Sequence, residues 1–156
     1  MKSSPYITKE GMNQLNDELS NIWIRRRAVV KALTAAAAEG DRSENAEYIY
    51  RKKELRGLDR RIAYLQRRMP DLRVIAELPD NRSKIFFAAW VMLKDELDKD
   101  IEYRIVGPDE IDHQKGNISL DSPLAQVLLG KEIDDEVTLH IQQGTKIYHI
   151  TGIRYL

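Results

Sequence analysis

Asp41 and Glu44 are two carboxylates three residues apart, at the end of a charged stretch. Such a pair can hold a divalent cation or position a water. Mg²⁺ in particular binds through one or two protein carboxylates together with substrate phosphates. Alone, the pair makes a poor nuclease. Beside another enzyme's metal and a phosphodiester, it can complete a two-metal site. The same spacing also fits a helix capping box, with Asp41 at the N-cap and Glu44 at the third helical position.

Other chemistries find little support. The chain has no cysteine, which excludes a disulfide scaffold, a thiolate metal site and a cysteine nucleophile. His113, His140 and His149 lack metal-ligand spacing, and the last two read as strand residues on exposed or mixed faces. No glycine-rich phosphate loop and no nucleophile elbow is present. Trp23 and Trp90 read as packing residues.

The carboxylates must be carried by the elements on either side of them. Met12, Leu15, Leu19, Ile22, Arg26, Val29, Leu33 and Ala36 follow one another at alternating gaps of three and four. Tyr48, Arg51, Leu55, Leu58, Ile62, Leu65, Met69 and Leu72 do the same. That alternation is a coiled-coil seam. Paired as an antiparallel hairpin, 36 meets 48, 29 meets 55, 22 meets 62 and 12 meets 72, each pair summing to 84. One register satisfies both seams and puts the turn at residue 42, within a tip of 39–45 where Gly40 can end the first helix. Thr8 is the expected N-cap of the first helix, and Pro70 and Pro79 mark the end of the second. Arms of about 28 residues reach roughly 40 Å. Arg26 and Arg51 occupy seam positions, as register devices or with their heads in water.

The charge sum is zero, with 25 Lys and Arg against 25 Asp and Glu. The zero hides a split: residues 1–78 carry a net +5 and residues 79–156 a net −5. Within 24–68 the excess is +7. Lys52, Lys53, Arg56, Arg60 and Arg67 fall within an arc of about 100°, opposite the seam. A solvated helix face ordinarily mixes acids with bases; this one does not, which suits phosphates. The longest uncharged apolar run, Ile85–Leu93, is shorter than the ~18 residues of a membrane span. The polar N-terminus lacks a signal-peptide core, so cytoplasm and no membrane partner are expected.

The run Gly40-Asp41-Arg42-Ser43-Glu44-Asn45-Ala46-Glu47-Tyr48, then Tyr50, Lys52-Lys53, Leu55 and Asp59-Arg60-Arg61, resembles the bacterial transcript-cleavage factors of the GreA/GreB family. The Arg42-Ser43 pair and the basic run after it are more similar to GreB. Arg104-Ile105-Val106-Gly107, Asp109-Glu110, Ile118–Ala125 and Leu129–Glu132 extend the resemblance through the second half. The resemblance implies a coiled coil that enters the secondary channel of RNA polymerase. Asp41 and Glu44 would there share an Mg²⁺ ion with the polymerase, which hydrolyses backtracked RNA; free protein would bind no cofactor tightly. The basic face Lys52, Lys53, Arg56, Arg60 and Arg67 would hold the RNA 3′ segment. Asp121, Ser122 and Pro123 would contact the polymerase, and the factor would be a monomer that is no enzyme on its own.

The expected architecture is α+β in two domains. Residues 1–78 form the hairpin and 79–156 a globular domain, with Pro79-Asp80-Asn81 as linker. Strands are expected near 84–93, 101–107, 117–120, 136–142 and 146–155, in an antiparallel sheet. Ser122 and Pro123 open a short helix that Gly130 closes. The resemblance implies an FKBP-like fold for this half, without prolyl isomerase activity. Two other functions remain: a hairpin that blocks the channel without cleavage, and a free-standing isomerase, for which the residues give no independent support.

Overall fold

A computed structural model describes residues 2–39 and 45–155. The elements in chain order are β1 (Tyr6–Thr8), α1 (Lys9–Ala37), α2 (Ala46–Arg68), β2 (Arg73–Ile75), β3 (Trp90–Lys94), β4 (Asp100–Val106), β5 (Asn117–Ser119), α3 (Pro123–Leu128), β6 (Glu136–Ile141) and β7 (Gly144–Arg154). Asp41 and Glu44 lie outside the described residues.

The chain divides into two compact units, Met12–Leu72 and Met1–Gly11 with Arg73–Leu156. This partition differs from the expected 1–78 and 79–156. The reason is that β1 pairs in parallel with β2, Tyr6 with Arg73, Ile7 with Val74 and Thr8 with Ile75. Arg73 N also donates to the Pro5 carbonyl at 2.7 Å. The first residues are thus held by the globular unit, and Ile7 is fully buried there. Glu110 adds a second tie. Its carboxylate accepts from Thr8 N at 3.0 Å and Gly107 N at 2.8 Å, and from the Thr8 hydroxyl. Thr8 in turn caps α1, its Oγ1 accepting from Gly11 N at 3.0 Å, as its side chain predicts.

In the hairpin unit, all sixteen seam residues are buried or half-buried, and its buried residues among those described, Leu15, Val29, Ala36, Ile62 and Leu65, are all drawn from the seam. Burial of the stripe, not helix propensity, is what stabilises arms of this length. α2 stops at Arg68, where Met69–Asp71 tighten into a 3₁₀ turn around Pro70, which has no N–H to continue the helical ladder.

The globular sheet has the order β5-β4-β3-β7-β6. Its expected antiparallel pattern holds for β3–β4, β3–β7 and β6–β7. It fails at the edge, where β5 runs parallel to β4, Arg104 beside Asn117 and Val106 beside Ser119. Residues 107–116 fold back through the Pro108–Glu110 turn, so the chain re-enters beside Arg104, in the second half of β4. The strand expected over 84–93 begins only at Trp90. Ala88 takes a left-handed φ of 72°, which breaks extended backbone. Val91, Leu93, Ile105, Val137 and Ile150 pack inward with Ala125 and Leu128 of α3. Trp90 is half-buried, and the Arg104 and Arg154 guanidinium groups stand 5.3 and 4.7 Å from its ring centroid.

Candidate nucleic-acid interface

The hairpin is fastened by charged pairs beside the seam. Arg61 grips Glu18 with two hydrogen bonds, at 2.6 and 2.9 Å. Arg25 reaches Glu54 at 2.7 Å. Glu18 and Arg25 are seven residues apart on α1, and Arg61 and Glu54 seven apart in the opposite sense on α2. Two bridges one heptad apart therefore fix the antiparallel register that the seams require. The seam arginines do not end in water. Arg26 Nε donates to Asp59 at 2.7 Å. Arg51 donates to Glu47 at 2.8 Å and Glu54 at 2.9 Å.

These contacts tune the carboxylates. The hydrogen bond from Arg61 is the main cause that lowers the Glu18 pKa below its usual 4.5. Burial alone would raise Glu54, but hydrogen bonds from Arg25 and Arg51 outweigh it and lower that carboxyl as well. A lowered carboxyl stabilises the fold fully above its unfolded pKa and loses that contribution as pH falls through the folded value. Glu54→Gln is therefore expected to lower the thermal midpoint near pH ~6, with the difference from wild type closing below pH ~4. Thermal melts of both proteins across that window test this; a gap that persists at the acid end excludes the linkage.

The pairing also sorts the cations. Arg25, Arg26, Arg51 and Arg61 occupy Glu54, Asp59, Glu47 and Glu18. Lys52, Lys53, Arg56, Arg60 and Arg67 are all exposed on α2, and none of them ion-pairs with a carboxylate among the described residues. Lys52 alone has a ring contact, its Nζ standing 5.8 Å from the Tyr48 centroid. The structure thus carries the five residues of the expected stripe on one helix, without carboxylate partners among the described residues, which suits a polyanion.

Asn45 was not singled out by the sequence reading. It is the N-cap of α2, its Oδ1 accepting from Tyr48 N at 3.1 Å. Its Nδ2 donates to the Ala36 carbonyl at 2.8 Å, satisfying one of the orphan acceptors at the end of α1. One amide thus fastens both helices below the tip. The capping-box reading would place this job on Asp41, four residues earlier. The cap position of α2 belongs instead to Asn45, a preferred N-cap residue followed at once by helix formers, which is the signal that could have found it. Asn45→Ala is expected to cost about 1–2 kcal/mol, by loss of the cap and of the Ala36 bond. Asn45→Asp keeps the acceptor and loses the donor, so its denaturation midpoint should fall between the two. Wild-type stability in the alanine variant rules the clasp out.

The expected docking residues open α3. Asp121 and Pro123 are exposed and Ser122 is half-buried. Ser122 Oγ accepts from Ala125 N at 3.2 Å as the helix cap, with Pro123 at the first helical position. The Asp121 carboxylate accepts from Ser4 N at 2.9 Å and from its hydroxyl. Among the described residues, no group of three or more His, Asp or Glu side chains could hold a metal, and no helix is long and apolar enough to cross a membrane.

Comparison with known proteins agrees with the two halves of this geometry. The pattern of the N-terminal domain of the transcription elongation factors matches residues 5–74. The pattern of the GreA/GreB C-terminal domain matches residues 79–155. The chain belongs to the GreA/GreB family. Within that family, the transcription elongation factor GreB of Pseudomonas aeruginosa is 48% identical over 97% of this chain and 91% of its own. GreB of Yersinia pestis is 48% identical over 99% of this chain and 91% of its own. GreB of Xanthomonas axonopodis pv. citri is 49% identical over 99% and 93%. The chain is a GreB-like member of the GreA/GreB family, and the resemblance drawn from its tip and globular motifs holds over both halves.

Proposed function

We propose that this elongation factor inserts its hairpin into the secondary channel of bacterial RNA polymerase and stimulates the polymerase to cleave backtracked RNA. The observation that carries the reading is the division of labour on α2. Asn45 supplies the helix cap, so that position makes no demand on Asp41 and Glu44. Later in the sequence, the face of α2 opposite the seam offers five exposed cations without carboxylate partners among the described residues. Two carboxylates fit the donor set of an Mg²⁺ ion shared with a second protein and a phosphate, and the ion would polarise the scissile phosphodiester. Asp41 and Glu44 would hold that ion in place and orient the attacking water. Lys52, Lys53, Arg56, Arg60 and Arg67 would bind the backbone of the extruded 3′ segment. Asp121, Ser122 and Pro123 would meet the polymerase, Pro123 with no internal duty beyond starting α3. The chain would act as a monomer in the cytoplasm and contribute no hydrolysis without the polymerase.

The test is a backtracked elongation complex with labelled RNA, purified polymerase and Mg²⁺. Adding this protein should shorten the RNA from its 3′ end and restore synthesis. Protein that slows synthesis while the RNA stays intact would replace this reading with that of a channel-blocking regulator.

A further inference from the structure

α2 carries a second line of residues beside the basic stripe. Tyr50, Gly57 and Tyr64 are spaced by seven, two helical turns apart, so they lie almost along one line of the helix surface. At about 100° per residue this line borders the arc of Lys53 and Arg60. Tyr50 is 59% exposed and Tyr64 half-buried. The Arg51 guanidinium lies 5.3 Å from the Tyr50 ring centroid, and that of Arg61 lies 5.3 Å from the Tyr64 ring centroid. Both guanidinium groups are themselves held, Arg51 by Glu47 and Glu54 and Arg61 by Glu18. Each ring is thus backed by a fixed cation, which limits the orientations it can take.

Gly57 between them is the unexpected member. Glycine in a helix interior costs about 1 kcal/mol relative to alanine. A Cβ built there would meet nothing closer than Arg60 Nη2 at 3.9 Å, so no packing contact demands its absence. What glycine leaves is a half-buried stretch of helix surface with no side chain of its own, between two aromatic rings in sequence.

We propose that Tyr50, Gly57 and Tyr64 form a stacking track for the bases of single-stranded RNA whose phosphates lie on Lys53 and Arg60. The inference rests on the reading that α2 faces RNA and adds to it how the bases are held. Aromatic rings beside a positive groove bind single strands with little sequence preference, because every base has a π-face. The charge fits this occupant: the flanking cations lack carboxylate partners among the described residues.

The experiment uses the full chain, without polymerase, and two fluorescent RNA oligomers of equal length, one with bases and one abasic. Affinity is read by anisotropy between about 50 and 200 mM salt. Wild type should bind the base-bearing RNA about tenfold or more tightly than the abasic one. Tyr50→Ala with Tyr64→Ala should abolish that preference and leave the salt dependence unchanged. Tyr50→Phe with Tyr64→Phe should retain it, since stacking needs no hydroxyl. Gly57→Leu, which fills the gap with a good helix former, should reduce the preference while helix content by circular dichroism is kept. Lys53→Gln with Arg60→Gln should instead lower the slope of log affinity against log salt by about 1.4. Equal wild-type binding to both RNAs, or alanine variants that keep the preference, would overturn the track. All these variants keep Asp41 and Glu44, so failure here is separate from failure of the cleavage assay.

Discussion

Asp41→Asn and Glu44→Gln are each expected to reduce factor-stimulated cleavage of backtracked RNA by about 100-fold or more. A metal-held transition state draws several kcal/mol from the ion, and each 1.36 kcal/mol is about a factor of ten in rate. Removing one of two carboxylates takes away half of the charge that this chain contributes to the ion. The amide is nearly isosteric, so shape is kept and charge alone is lost. The α2 cap is supplied by Asn45, so neither substitution should change helix content or thermal midpoint. Affinity for polymerase should also stay within a few-fold of wild type. Cleavage at the wild-type rate by either variant would remove that residue from the proposed site.

Gly107→Ala should strongly destabilise the globular unit, by about 3 kcal/mol or more. A Cβ at Gly107 would stand 1.9 Å from the Tyr6 carbonyl oxygen and 3.1 Å from a Glu110 carboxylate oxygen. The first of these is backbone of β1 and cannot swing away as a side chain would. Relief requires β1 to leave β2, or Gly107 N to give up its bond to Glu110, so the cost combines overpacking with a lost hydrogen bond to a charged acceptor. Gly57→Ala is the matched control: its Cβ makes only an ordinary contact with Arg60 Nη2 at 3.9 Å and should stabilise the hairpin by about 1 kcal/mol. Denaturant titrations of both variants decide the matter, and a Gly107→Ala protein as stable as wild type would mean that β1 is not held as described.

The hairpin was legible because its physics is periodic. Every third or fourth residue repeats one requirement, so each seam position was identifiable before any contact was known. The sheet edges were harder. Arg73-Val74-Ile75 is three exposed residues with no alternation, and its partner strand lies at the other end of the hairpin in sequence. Nothing local distinguishes it from a linker. The direction of β5 was hidden for a similar reason: three residues do not reveal which way the preceding turn has sent the chain. At the candidate site, the five cations could be placed on one face from spacing. Their lack of carboxylate partners among the described residues could not, because it depends on which arginine of each arm reaches which acid across the seam. Asn45 was overshadowed by the Asp41–Glu44 spacing, although it too is a preferred N-cap residue.

The pairing of β1 with β2 has a consequence for how this chain folds and how it can be redesigned. Joining Thr8 to Ile75 in an unfolded chain closes a loop of more than sixty residues, at an entropic cost of roughly 4 kcal/mol. If the hairpin zips first, from local contacts at Asn45 downward, its two ends arrive together and that cost has already been met. The hairpin is then an insert whose entry and exit are adjacent parallel strands. Matched heptads removed from both arms would shorten its reach by about 10.5 Å each and leave the strand pair at its base intact. Distance from base to tip thus becomes an adjustable length, independent of the unit that carries it.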